Sequence, residues 1–252
     1  MPSWDLASLL VKSLIQQARR LLSILLMGIV IIQEILQVYN PKASVARQLS
    51  ISNKEFTSVI AKIKGTMMEQ TLPKHLGGSM GRCRLDEGAL LAVKEVFDIQ
   101  SMIDVGCGAG CQTEFARGVG IDAIGVDGDF TLKRRIDVVI HDYATGPLIF
   151  DPPRQFDLAW SVEFIEHVED QFMMHFMHTF NLCRYVLVTY VPPERPGGYH
   201  HVNKKHADYW IGTFMDNGFV FDYGTTKLIR EKSTMAQVPW MTSFGLFFRR
   251  DQ

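Results

Sequence analysis

The feature that most constrains this chain is Met102-Ile103-Asp104-Val105-Gly106-Cys107-Gly108-Ala109-Gly110, an apolar run that opens into three glycines at alternate positions. An apolar strand that ends in bare main chain, followed by a helix beginning near Cys111, reads as the entry to a βαβ unit. Glycine there lets the backbone turn tightly and lets a ligand approach without meeting a Cβ. Downstream, short β-rich runs alternate with helical ones, at 101–105, 123–126, 136–140, 156–160, 185–190, 219–223 and 244–248. Strands separated by helices pair in parallel, so the expected fold is α/β: a doubly wound, mostly parallel, seven-stranded sheet with helices on its faces. Asp86 opens a helix that runs through Phe97 and leads into the first strand.

At 252 residues, 47% of them hydrophobic, the chain can bury one full α/β domain and a smaller appendage. We divide it into an N-terminal helical extension at 1–70 and a catalytic domain at 71–252, entered through a glycine- and proline-bearing loop with Pro73, Gly77, Gly78 and Gly81. The extension carries the run Leu21 to Ile32 after Arg19 and Arg20. That run is short of the roughly 20 apolar residues that cross a bilayer, and extending it to Tyr39 brings in Glu34. Residues 21–39 therefore read either as a helix buried against the domain or a second subunit, or as a membrane-anchored or interface-lying helix. A signal peptide is disfavoured, because about twenty residues precede the run. Lys and Arg total 26 against 27 Asp and Glu, so a net charge of −1 gives no global attraction for nucleic acid. Four cysteines are too few and too irregular for a disulfide scaffold, and they fit a reducing, cytoplasmic setting.

Two carboxylates stand in register with the glycine loop. Asp127 ends the second strand 21 residues after Gly106, where it can accept both hydroxyls of a ribose. Asp142 lies just past the third strand, suited to accept from an adenine amino group, with Tyr143 beside it to cover the ring. A single strand-end aspartate reads more simply as a helix cap, but in register with the loop these residues outline an adenosine-shaped slot. The dinucleotide fingerprint Gly-x-Gly-x-x-Gly would need its third glycine at Cys111, which makes a nicotinamide cofactor the runner-up.

With those residues in place, 100–252 resembles the class I S-adenosylmethionine-dependent methyltransferases, whose pattern is an acidic residue two before Gly-x-Gly-x-Gly. The similarity covers about three fifths of the chain. It implies that Asp104 orders the loop and the methionine amino group of S-adenosyl-L-methionine, that Gly106, Gly108 and Gly110 underlie the cofactor, that Asp127 holds the ribose and Asp142 the adenine. It also implies an antiparallel last strand.

The methyl acceptor should meet the cofactor at Ser161-Val162-Glu163-Phe164-Ile165-Glu166-His167-Val168, which resembles the family's fourth-strand segment with its Glu-His-Val ending. Ser161 and Glu163 are candidate cofactor contacts; Glu166 and His167 are candidate bases, or else caps of the next helix. A glycine-rich loop carrying His200 and His201 follows the fifth strand, and His201 joins the catalytic candidates. No spacing there is diagnostic of a metal, and none is expected. His175 and His178 belong to a helix packed on the sheet, and Asp151-Pro152-Pro153-Arg154 is a turn rather than an amino-methylation motif. The preferred reading is an enzyme moving a methyl group to a hydroxyl of a small molecule or glycan. The alternatives are an RNA or protein methyltransferase and a non-catalytic cofactor-binding scaffold, and an oligomer is compatible with each.

Overall fold

Alternation of apolar side chains along the central strands sets the architecture, because successive residues of a strand face opposite sides of a sheet. The computed structural model describes residues 72–251 apart from 77, 79–81, 133–135 and 236–237, so the extension at 1–70, its apolar run at 21–39 and part of the entry loop lie outside the described residues. Seven strands are ordered β3-β2-β1-β4-β5-β7-β6: β1 Ser101–Val105, β2 Asp122–Asp127, β3 Val138–Ile140, β4 Phe156–Ser161, β5 Cys183–Thr189, β6 Phe219–Phe221 and β7 Gly245–Arg250. The first five pair in parallel, and β7 runs antiparallel between β5 and β6. This is the doubly wound sheet with a reversed last strand that the resemblance implies.

Ile103, Ala159, Val186 and Phe248 face one core together with Phe176, Phe180, Trp210 and Phe214. Their strand neighbours Met102, Leu158, Leu187 and Phe247 face the other core, with Leu90 and Val93. The helices covering the sheet are α1 Glu87–Phe97, α2 Cys111–Gly118, α3 Met173–Phe180, α4 Ala207–Asp216, α5 Tyr223–Lys232 and the short α6 Trp240–Phe244. His175 and His178 lie on α3, as expected. Asp86 caps α1 by accepting from the Ala89 amide at 3.1 Å, and also accepts from the Thr234 amide at 2.9 Å, which ties α1 to the end of α5.

Two expectations are corrected. The run 219–223 is not one strand: it ends at Phe221, and Asp222 caps α5 by accepting from the Thr225 amide at 2.9 Å, so local capping chemistry overrides the aromatic pattern at Tyr223. The cysteines are not all reduced either. Cys83 and Cys111 form a disulfide with their Cα atoms 5.6 Å apart, a pairing that 28 residues of separation does not reveal. No helix among the described residues is long and apolar enough to cross a membrane.

Candidate functional site

The crevice opens where β1 and β4 lie side by side, their chains leaving toward opposite edges of the sheet, which is where doubly wound folds bind ligands. A cleft of about 620 Å³ occupies that position, floored by Gly106 and Gly108. Gly106 adopts a φ of 78°, and a Cβ there would lie 2.8 Å from Phe164, so only glycine lets the loop close over the following segment. Gly110 differs from its two partners. It caps α2, and its Cα faces Ile136, 2.9 Å from where a Cβ would fall, so it packs the helix start and does not line the cleft.

The acids of this half are held by main-chain amides. Asp127 accepts from Gly108 at 2.7 Å and from Asp129 at 2.8 Å, one bond to each oxygen, which fixes the glycine loop to the end of β2. Asp142 accepts from Ala144 at 2.9 Å, capping a short 3-10 turn at Tyr143–Thr145, and its other oxygen meets His75 at 2.9 Å. The capping role and the cleft-lining role thus coexist, because each carboxylate oxygen retains a second lone pair. Asp104 is buried beneath the loop and accepts from the Thr113 hydroxyl at 2.6 Å. Burial drives its carboxyl up to about 7, with the Asp127 charge adding to the effect and the Thr113 hydroxyl opposing it. Tyr143 lines the cleft with its ring while its hydroxyl donates to Thr179 at 3.0 Å, which locks it into the core beside Phe164.

Ser161 is separated from this set. It is buried at the end of β4, its hydroxyl donates to the Val105 carbonyl at 3.0 Å, and it does not line the cleft, so its place as a cofactor contact is corrected to a clip between β4 and β1. Glu163, two residues on, does line it. Its backbone sits in the left-handed region at φ 55°, held by donation from its amide to the Thr189 hydroxyl at 2.8 Å, and this bend turns the chain out of the strand.

Glu166, His167 and His201 are brought together from two segments. The Glu166 carbonyl accepts from the Val202 and Asn203 amides, both at 3.0 Å, which lays the glycine-rich loop against the β4 exit. Gly198, at φ 96°, lets the His201 ring pass where a Cβ would collide with it. The His167 and His201 rings stand perpendicular with centroids 4.7 Å apart. Burial pushes the His167 imidazole down to about 4, helped by His201 and His200, so it is neutral with a lone pair to offer. Burial also lowers His201, with Lys204 and Arg195 adding to the shift. Glu163 is pushed up to about 7 by burial. Glu166, fully buried, is pushed well above the carboxylate range by burial and then by the Glu163 charge.

Other cleft residues were not legible beforehand. His75 comes from the entry segment, Arg84 lies with its guanidinium 4.7 Å over the Trp240 ring, and Arg195 lies 5.1 Å over Phe244. They arrive from stretches outside the βαβ motif, and no local pattern marks them. Only the proline- and glycine-rich context of Arg195 hinted at a loop.

No family model and no curated protein matches the chain. Among solved structures it is similar to a magnesium protoporphyrin IX methyltransferase of Synechocystis PCC 6803 with bound S-adenosylhomocysteine, at 14% identity over 64% of this chain and 80% of that one, TM-score 0.45. It is similar to a phosphoethanolamine N-methyltransferase of Haemonchus contortus at 17% identity over 65% and 52%, TM-score 0.44. A small RNA methyltransferase matches at 14% identity and TM-score 0.44 over 65% of this chain, which spans only 25% of that protein's length.

Proposed function

We propose that this chain is an S-adenosyl-L-methionine-dependent methyltransferase acting on a hydroxyl of a small molecule or glycan. The observation that carries the reading is the continuity of one cleft: a glycine floor edged by Asp104, Asp127 and Asp142 opens directly onto Glu163, His167 and His201. The first half fits the cofactor. Gly106 and Gly108 offer main chain without side chains, Asp127 borders the cleft where ribose hydroxyls would lie, Asp142 and Tyr143 border the adenine end, and Asp104 offers a carboxylate to the methionine ammonium. Bound there, the cofactor supplies an electrophilic methyl group on a sulfonium. The chain's own task is alignment, since in-line displacement depends mainly on holding donor and acceptor at attack distance. The neutral imidazoles of His167 and His201, with Glu166 behind them, accept the proton of a hydroxyl held on their side.

Two measurements test this. Calorimetry should detect S-adenosylmethionine binding that Asp127→Ala weakens, and labelled cofactor should pass label to a hydroxyl-bearing fraction of a cell extract. Full turnover by a His167→Ala, His201→Ala double variant would remove the assigned mechanism, and cofactor bound yet never consumed with any acceptor pool would favour a non-catalytic scaffold. A second reading, an RNA acceptor, is favoured by Arg82, Arg84 and Arg195 at the cleft together with the Trp240 ring. It requires turnover to fall steeply with salt and to vanish on nuclease treatment of the acceptor.

A further inference from the structure

We propose that Glu166, His167 and His201 bind a divalent first-row transition-metal ion, with Glu163 as a further carboxylate ligand. One ligand atom from each of the first three lies within 4.8 Å of the others. Metal–ligand bonds of about 2.0–2.2 Å bring such atoms to roughly 3–3.5 Å, a closure that side-chain rotation supplies.

The second line of support is the state of the polar atoms. Glu166 is fully buried and both of its carboxylate oxygens lack a hydrogen-bond partner among the described residues, as do Glu163 Oε1 and His201 Nδ1. Buried polar groups are nearly always paired, because each one stripped of water and left alone costs about 1–3 kcal/mol. Four such atoms, from one carboxylate pair and one imidazole, converge from the β4 exit and the glycine-rich loop. A cation satisfies them all at once. Two carboxylates and two imidazoles make a mixed oxygen and nitrogen set, which suits manganese, iron, cobalt or zinc better than the all-oxygen cages of calcium.

The chain geometry serves the cluster. The Glu166 carbonyl clamps Val202 and Asn203, and Gly198 clears space for the His201 ring, so the loop is built to hold that imidazole against Glu166. His167, Glu163 and His201 also line the cleft, which leaves the ion reachable and its remaining positions open to oxygens of a ligand. In the methyl-transfer reading, on which this last step rests, the open positions would face the acceptor hydroxyl, and the bound ion would lower the pKa of that hydroxyl in place of the general-base role of the two imidazoles.

The test is metal uptake by the chelator-stripped full chain, followed by calorimetry and by the visible absorption of cobalt(II), both read without cofactor. One ion per chain is expected, with Glu166→Gln and His201→Gln each weakening it at least ~10-fold. His206→Ala, an exposed histidine paired with Glu194, should bind as the parent does. Melting temperatures of the variants verify that they fold. No stoichiometric uptake by the parent overturns the proposal, and so does unaltered affinity in both glutamine variants. Uptake by a chain that fails to bind S-adenosylmethionine upholds the metal site and overturns the methyl-transfer reading instead.

Discussion

The two halves of the cleft are built on opposite principles. On the β1–β3 side every carboxylate already has a hydrogen-bond partner: Asp127 holds two amides, Asp142 an amide and a histidine, Asp104 a hydroxyl. On the β4–β5 side the carboxylates and one imidazole converge with atoms left unpartnered. The first half is finished by folding alone and presents a shape in advance, so a ligand adds to contacts already made. The second half carries an unfavourable polar environment that a ligand or ion would relieve. Preorganisation on one side and deferred satisfaction on the other are what a site needs if one occupant is constant and the other decides specificity.

This contrast can be broken by substitution. The largest effect is expected from Gly106→Val, where a left-handed backbone and the collision with Phe164 combine: cofactor affinity should fall ~100-fold, about 3 kcal/mol, by calorimetry. Next, Asp127→Ala removes both the ribose acceptor and the anchor of Gly108, and we expect a loss of about 2 kcal/mol in cofactor binding together with a lower melting temperature. Equal cofactor affinity in this variant would mean that the hydrogen-bonded half is structural only.

A smaller effect follows from Asp104, whose folded-state value of about 7 lies above that of an ordinary carboxylate. Between the ordinary carboxylate value of 3.8 and about 7 the folded chain holds a proton that the unfolded chain has released, so the contribution of Asp104 to folding stability is fully present below that window and is lost as pH rises through about 7, by up to ~1.4 kcal/mol per pH unit. A cationic ligand needs the ionised form, so its affinity should run the other way, rising up to ~10-fold per pH unit below 7 and levelling above it. Flat affinity between pH 5.5 and 8 would detach Asp104 from the ligand. The smallest effect has the opposite sign to the Asp127 variant: Glu166→Met, which replaces unpartnered oxygens by an apolar chain of similar volume, should stabilise the metal-free protein by about 1 kcal/mol in chemical denaturation. A destabilised Glu166→Met would show that the second half is already satisfied.

Much of the hydrogen-bonded half could be read in the sequence, because its information is local. A strand, three spaced glycines and an aspartate 21 residues on are one βαβ unit, and the structure assembles Gly106, Gly108, Asp104 and Asp127 as that unit requires. The errors came where the outcome depended on which way a side chain pointed. Ser161 faces the β4–β1 seam and Gly110 faces Ile136, and neither direction is written in spacing. The strand ends were legible to within a few residues, with two expected strand residues falling in helices: Tyr223, where the Asp222 cap prevailed, and Phe244, the last residue of α6. The contributions of His75, Arg84 and Trp240 were not legible at all. They meet the cleft only through tertiary packing, as Cys83 meets Cys111.

The strand order has one more consequence. Because β1 and β4 send their chains apart, the wall that carries Asp104, Asp127 and Asp142 is drawn mainly from residues 104–143 and the opposite wall mainly from 163–201, with His75, Arg84 and Trp240 added from outside both. Each wall is therefore a separate paragraph of the gene. Drift or recombination can rewrite the later passage, changing what is recognised there, while the hydrogen bonds that hold Asp104 and Asp127 are inherited intact and only Phe164 and Thr179, which meet Gly106 and Tyr143, must be kept.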